Sequence, residues 1–238
     1  MRTRLVHAPE LLDDESQDPQ LLAQSLQHVA HVNRWLGGHN AVTLALNDVY
    51  RAQSRVRSPD RPVTILDIGT GSADIPRAVV DHARSRGIAV QITATDVNPR
   101  MRAIAAERSV DFPEIAIADA DALALPFERQ SFDVALLSLT LHHFEDDGPI
   151  VAVREAARVA RFVIVNELER NQANLVGANL LAATWWRNNI ITRHDGPLSV
   201  RRAFTADELA AIGRAAGLRD IRIARRWFFR LVMTGGAA

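Results

Sequence analysis

The sequence predicts an α/β fold built on a doubly wound, mostly parallel sheet, and three observations carry that expectation. From residue 63 onward, short apolar strand patterns alternate with helical ones, the arrangement that puts helices on both faces of a parallel sheet. The first strand pattern runs into a tight glycine turn, Gly69-Thr70-Gly71. Acidic residues then stand at the ends of three successive strand patterns: Asp67, Asp96 and the pair Asp119 and Asp121.

The elements follow in order. Apolar residues at Leu22, Leu26, Val29, Val32 and Leu36 have helical spacing and end at Gly37-Gly38. A second helix covers residues 41–51, and residues 54–62, charged and with two prolines, read as a linker. The core then runs strand 63–68, helix 75–86, strand 90–95, helix 100–108, strand 115–118, strand 132–137, helix 149–159 and strand 162–166. Residues 175–191 read as an extra helical segment rich in apolar and amide residues. Thr205 and Glu208 have capping-box spacing and open a helix to Ala216, which Gly217 ends. Two closing strands, 221–225 and 228–233, make a final hairpin. The expected domain is single: an N-terminal helical cap (1–60), a core (61–170), an inserted helical lid (171–203) and a last helix with closing strands (204–238). The sheet is seven-stranded with a final antiparallel strand.

Composition narrows the function. The chain has 238 residues, 47% hydrophobic and 24% charged, with a formal net charge of +0. A protein that grips nucleic acid usually carries a basic excess, so none is expected as partner. There is no cysteine, which excludes disulfides, thiolate metal sites and a cysteine nucleophile. No signal-like apolar run opens the chain and no uncharged stretch reaches the roughly 18 residues of a membrane helix. A cytoplasmic monomer or homodimer acting on a small molecule is the expectation. Every basic residue is arginine, read as compositional bias.

The glycine turn lies between a strand and a helix, where open α/β sheets bind ligands. A dinucleotide fingerprint wants glycine or alanine three residues after Gly71, and this chain has Asp74. Phosphate at a helix N-terminus is disfavoured by flanking carboxylates, and Asp67 and Asp74 flank this one. The turn therefore suits a ligand with a positive group and no phosphate, which S-adenosylmethionine (SAM) satisfies through its amino group and sulfonium. Asp74 would also stabilise the helix dipole without any ligand. Asp96 can accept from both ribose hydroxyls, or simply form a turn before Asn98-Pro99. Asp121, set by the following Leu125-Pro126-Phe127, is preferred to Asp119 as acceptor from an adenine amino group.

At this point residues 63–166 resemble the class I SAM-dependent methyltransferases, on the motifs LDIGTGSAD, Asp96, DALALPF and SFDVALLSLTLHHF. They are most similar to the small-molecule branch of quinone-biosynthesis and natural-product enzymes, whose fold is Rossmann-like. NRWLGG (33–38) and TRHDGPLSVRR (192–202) resemble bacterial members associated with polyketide-type or phenolic products. The resemblance implies that Asp67, Gly69 and Gly71 hold the methionine part of SAM, with Thr70 and Asp74 beside them. It implies Asp96 and Val97 at the ribose, Asp121 and Ala122 at the adenine, and Ser138 and Leu139 along the cofactor. Demethylation would leave S-adenosylhomocysteine (SAH). Ala73 departs from the family, where many members have a third glycine.

Methyl transfer to a hydroxyl benefits from a base, and histidine titrates in the useful range. His142 and His143 follow the fourth strand. His142 is favoured as base or orienting residue, His143 is second, and Glu167 is the expected partner of His142. His194 with Asp195 forms a rival dyad, or a turn before Gly196-Pro197. No metal is expected, because Ser138 stands where catechol-type enzymes place a carboxylate. Trp35, Trp185 and Trp186 are expected to line an apolar acceptor pocket. Arg222, Arg225, Arg226 and Arg230 read as a solvated strand face. The expected activity is methylation of a small apolar or aromatic acceptor at oxygen. An NAD-dependent oxidoreductase and a non-catalytic SAM-binding protein are the alternatives.

Overall fold

The computed structural model describes residues 3–14, 16–53 and 61–237; most of the expected linker lies outside them. Two helices, α1 (Pro19–Trp35) and α2 (Gly38–Gln53), precede the sheet. Asp18 caps α1 by accepting from the N–H groups of Gln20 and Leu21. The core follows as β1 (Val63–Ile68), α3 (Asp74–Ser85), β2 (Val90–Asp96), α4 (Pro99–Arg108), β3 (Ile115–Asp119), β4 (Phe132–Ser138), α5 (Gly148–Val159) and β5 (Ala160–Leu168). Then come α6 (Gln172–Ala183), α7 (Ile190–Arg202), α8 (Ala206–Ala215), β6 (Arg219–Arg226) and β7 (Arg230–Gly236).

The seven strands lie in the order β3-β2-β1-β4-β5-β7-β6. Strands β1 to β5 pair in parallel, and β7 runs antiparallel between β5 and β6. The expected sheet is therefore present. Each central strand is buried on both faces: Ile65, Leu136, Ile164 and Val232 pack with α2 and α3, while Leu66, Leu137, Val165 and Leu231 pack with α5 and α8. The order reverses between β1 and β4, which opens a crevice at their carboxyl ends.

Two local expectations need correction. The stretch after β5 forms two helices, and His194 to Pro197 lie inside α7 instead of in a turn. Pro197 is tolerated there at a position whose flanking residues pack on the N-terminal segment, with Leu198 and Val200 buried. The last strand begins at Arg230, two residues later than its apolar pattern, because Phe228 and Phe229 take positive φ of 56° and 60° in the hairpin turn. The expected capping box of α8 is complete: Thr205 accepts from the N–H of Glu208, and Glu208 accepts from that of Thr205.

Candidate active site

A cavity of about 750 Å³ opens above the carboxyl ends of β1, β2 and β4, within the size range of small-molecule sites. Its floor is the β1–α3 turn. Gly69 and Gly71 have φ of 72° and 54°, the left-handed region that favours glycine. A Cβ on Gly69 would lie 2.6 Å from Thr140 Cγ2, so the turn is closed by packing as well as by backbone. Ala73 shares the left-handed conformation at φ 54°, which a glycine would adopt at less cost. Its methyl is fully buried.

Asp67, Asp74 and Asp96 converge on this floor, all buried. Burial, reinforced by Asp74 and Asp96, pushes the Asp67 carboxyl up to about 7. Asp96 is also raised by burial, partly offset by backbone donors. Its Oδ2 accepts from Gly71 N–H at 2.9 Å and its Oδ1 from Asn98 N–H at 3.0 Å. Each oxygen keeps a lone pair, so the carboxylate can still accept from two hydroxyls. Asp74 Oδ2 is held by Asn33 Nδ2 and His39 Nε2, both at 3.0 Å. Asp121 and Ala122 line the cavity, whereas Asp119 turns away to pair with Arg102 at 2.9 Å. Thr70, Val97, Ser138 and Leu139 also line it. Thr70 is buried beside Asp67, and its side chain helps hold that carboxyl down against burial. Acid-rich walls and a phosphate-averse turn fit a cationic, phosphate-free ligand such as SAM.

The histidines form the opposite wall. His142 is buried, and its Nδ1 lies 2.8 Å from Glu167 Oε2. Glu167 also accepts from Leu141 N–H at 2.8 Å. Burial raises the Glu167 carboxyl, but His142 overcomes this and holds it below its usual range. The other ring nitrogen of His142, Nε2, is 3.7 Å from Glu10 Oε1 and is the one not engaged by Glu167. His143 faces Asp13 at 3.0 Å and Glu10 at 3.9 Å. Burial draws the His143 imidazole down, and Glu10 and Asp13 outweigh it, lifting it to about 9. His143 is thus a cation at neutral pH. The carbonyls of both histidines are clamped by Arg202, at 2.9 and 2.8 Å.

The remaining expectations divide. His194 does contact Asp195 at 2.7 Å, but His194 is exposed and outside the cavity. Asp195 accepts from the N–H groups of Leu11 and Leu12, so it anchors the N-terminal segment. Of the three tryptophans only Trp186 lines the cavity; Trp35 is exposed and Trp185 stacks on His31. Arg230 is not on a solvated face but 1% exposed. Glu10 and Asp13 carry no sequence signal, because they precede the glycine turn by dozens of residues, and Asn33 is visible only as part of the NRWLGG flank. Glu10, His142 and His143 bring one donor atom each within 4.8 Å of one another, a grouping that sequence spacing does not reveal.

Residues 66–162 match a family described as the methyltransferase domain. The domain belongs to the class I SAM-dependent methyltransferases. SAM is accordingly the cofactor of this methyltransferase domain. The ubiquinone/menaquinone biosynthesis C-methyltransferase UbiE of Rickettsia prowazekii (strain Madrid E) is 27% identical over 126 residues, covering 52% of this chain and 50% of the relative. The chain thus spans about half the length of the curated relatives it matches. Among solved structures, the citrinin polyketide synthase CMeT domain superposes with a TM-score of 0.66 at 16% identity, over 95% of this chain and 61% of that one. The O-methyltransferase NcsB1 from neocarzinostatin biosynthesis, in complex with SAH and 1,4-dihydroxy-2-naphthoic acid, gives 0.66 at 16%, over 97% and 62%. These two share the fold with this methyltransferase domain.

Proposed function

We propose that the protein methylates a small aromatic acceptor bearing an acidic hydroxyl, and that it does so at that oxygen. The observation that carries this reading is the Glu167–His142 pair on the wall of the same cavity as Gly69 and Asp96. Bound SAM supplies a methyl group made electrophilic by its sulfonium. The protein's task is to position the acceptor and take its proton. His142 receives the hydroxyl proton on Nε2 while Glu167 holds the ring and stabilises the imidazolium. The acceptor oxygen then forms its bond to the methyl carbon as the carbon–sulfur bond breaks, leaving the neutral thioether SAH. His143, already cationic, cannot serve as the base at neutral pH; it stabilises the developing phenolate. Asp67, Asp96 and Asp121 bind the amino, ribose and adenine groups of SAM. The N-terminal cap and the α6–α7 lid enclose the acceptor within one domain.

A second reading is methylation at a ring carbon, favoured by the similarity to a UbiE C-methyltransferase. It uses the same base, because removing a phenolic proton also activates the ortho and para carbons. Calorimetry with SAM, SAH and NAD, followed by turnover of a dihydroxynaphthalene with methyl-labelled SAM, tests the proposal. SAM and SAH should bind and NAD should not, and proton NMR of the product should show a methoxy signal. His142→Gln should lower kcat more than tenfold while SAM affinity changes less than threefold. Binding of NAD without either sulfur ligand would overturn the methyltransferase reading, and a ring methyl signal would replace oxygen by carbon.

A further inference from the structure

Arg230 sits at the start of β7, opposite Leu168 at the end of β5. It lines the cavity and is 1% exposed. Nη2 donates to Asn33 Oδ1 at 2.9 Å, and Asn33 in turn holds Asp74. Nε and Nη1 are buried with no hydrogen-bond partner among the described residues. No carboxylate among those residues comes within ion-pair distance. Glu167 is committed to His142 and Leu141, and Asp74 to Asn33 and His39. Burial draws the guanidinium down, to about 10, so it stays charged at neutral pH.

A buried charge with unmade hydrogen bonds is among the most unfavourable groups a fold can keep. One facing a ligand cavity is completed when an anion binds. The charge balance sets the class of anion. Asp67, Asp74 and Asp96 already make the floor acidic, which opposes a phosphate dianion. One guanidinium with one amide neighbour suits a planar monoanion. We propose that Arg230 is the carboxylate-binding residue of this cavity. Two molecules can bring that group: SAM, through the carboxylate of its methionine part, and the acceptor, through a carboxylate on its ring. The inference rests on the methyltransferase reading above.

The test uses the full chain and two matched pairs of compounds. SAM is compared with decarboxylated SAM, and 1-hydroxy-2-naphthoate with 1-naphthol in the presence of SAH, each by calorimetry. The expected result is at least a tenfold preference for the carboxylate in one pair, lost in Arg230→Met and partly restored in Arg230→Lys. Preference in the first pair assigns the cofactor's carboxylate; preference in the second assigns the acceptor's. Arg230→Met should melt no lower than the wild type without ligand, because it removes an unsatisfied buried charge. If the variant fails to fold, the wild-type and Arg230→Lys comparisons decide alone. No carboxylate preference in either pair, or one that survives Arg230→Met, overturns the assignment. SAM binding that persists without such a preference would leave the methyltransferase reading standing, whereas loss of all SAM binding by the wild type would remove both.

Discussion

If Asp67 holds the amino group of SAM as proposed, its buried carboxyl couples cofactor binding to pH. Without a ligand its carboxyl titrates near 7, because burial and the neighbouring Asp74 and Asp96 oppose its charge. A cationic ligand favours the charged form and must displace the proton. The sign follows from linkage: the free site binds more protons than the occupied one, so affinity rises with pH up to and through that value. SAM affinity should therefore fall by up to tenfold per unit as pH drops from about 7 toward 5, a cost of about 1.4 kcal/mol per unit. Titrations in buffers of different ionisation enthalpy should show a proton released on binding near pH 6.5. Asp67→Asn should bind more weakly at pH 8 and lose this dependence; a retained dependence would move the titration to another group. Asp67 was readable in the sequence, because a strand-end acid beside a glycine turn is a local pattern. The partners of His142 and the isolation of Arg230 were not, because they join residues 25 to 197 positions apart.

At the scale of elements, the α6–α7 pair makes one wall of the cavity. Gly196 lies inside α7 against Trp186, and a Cβ there would be 2.5 Å from the buried indole ring. Two effects compete in Gly196→Ala. Helix propensity favours alanine by about 1 kcal/mol, while overpacking costs about 1–3 kcal/mol. The contact is too short to relax without moving Trp186, so overpacking should win. The variant should lose about 1 kcal/mol in urea unfolding and raise the KM of the acceptor severalfold, with SAM affinity nearly kept. An unchanged KM would detach Trp186 from the acceptor site. Sequence periodicity found the core strands and helices but misread α7, since Gly-Pro normally marks a turn. Packing of Ile191, Leu198 and Val200 decided otherwise.

Across the whole molecule, the cluster around His142 is assembled from segments that the fold brings together. Glu10 and Asp13 come from the N-terminal segment, His142 and His143 from the turn after β4, and Glu167 from β5. That segment is tied down by Leu5 N–H to Arg201 O at 3.0 Å and by Asp195. The donor types of Glu10, His142 and His143 would also suit a divalent ion. The proton-network reading of this cluster predicts that dialysis against a chelator leaves turnover unchanged. Loss of activity restored by Zn²⁺ or Mn²⁺ would assign the cluster to a metal instead. Among the described residues no helix is long and apolar enough to cross a membrane.

By itself the sequence determined the sheet, the glycine turn and the acidic strand ends that border the cavity. Each of these is written in short-range patterns: period-two and period-3.6 apolar spacing, and a turn that needs positive φ. Only the tertiary structure decided the different surroundings of the two histidines, because Asp13 and Glu10 face His143 while Glu167 holds His142. Only it showed Arg230 as a buried, incompletely bonded cation, since burial depends on what distant segments cover and no local pattern encodes it.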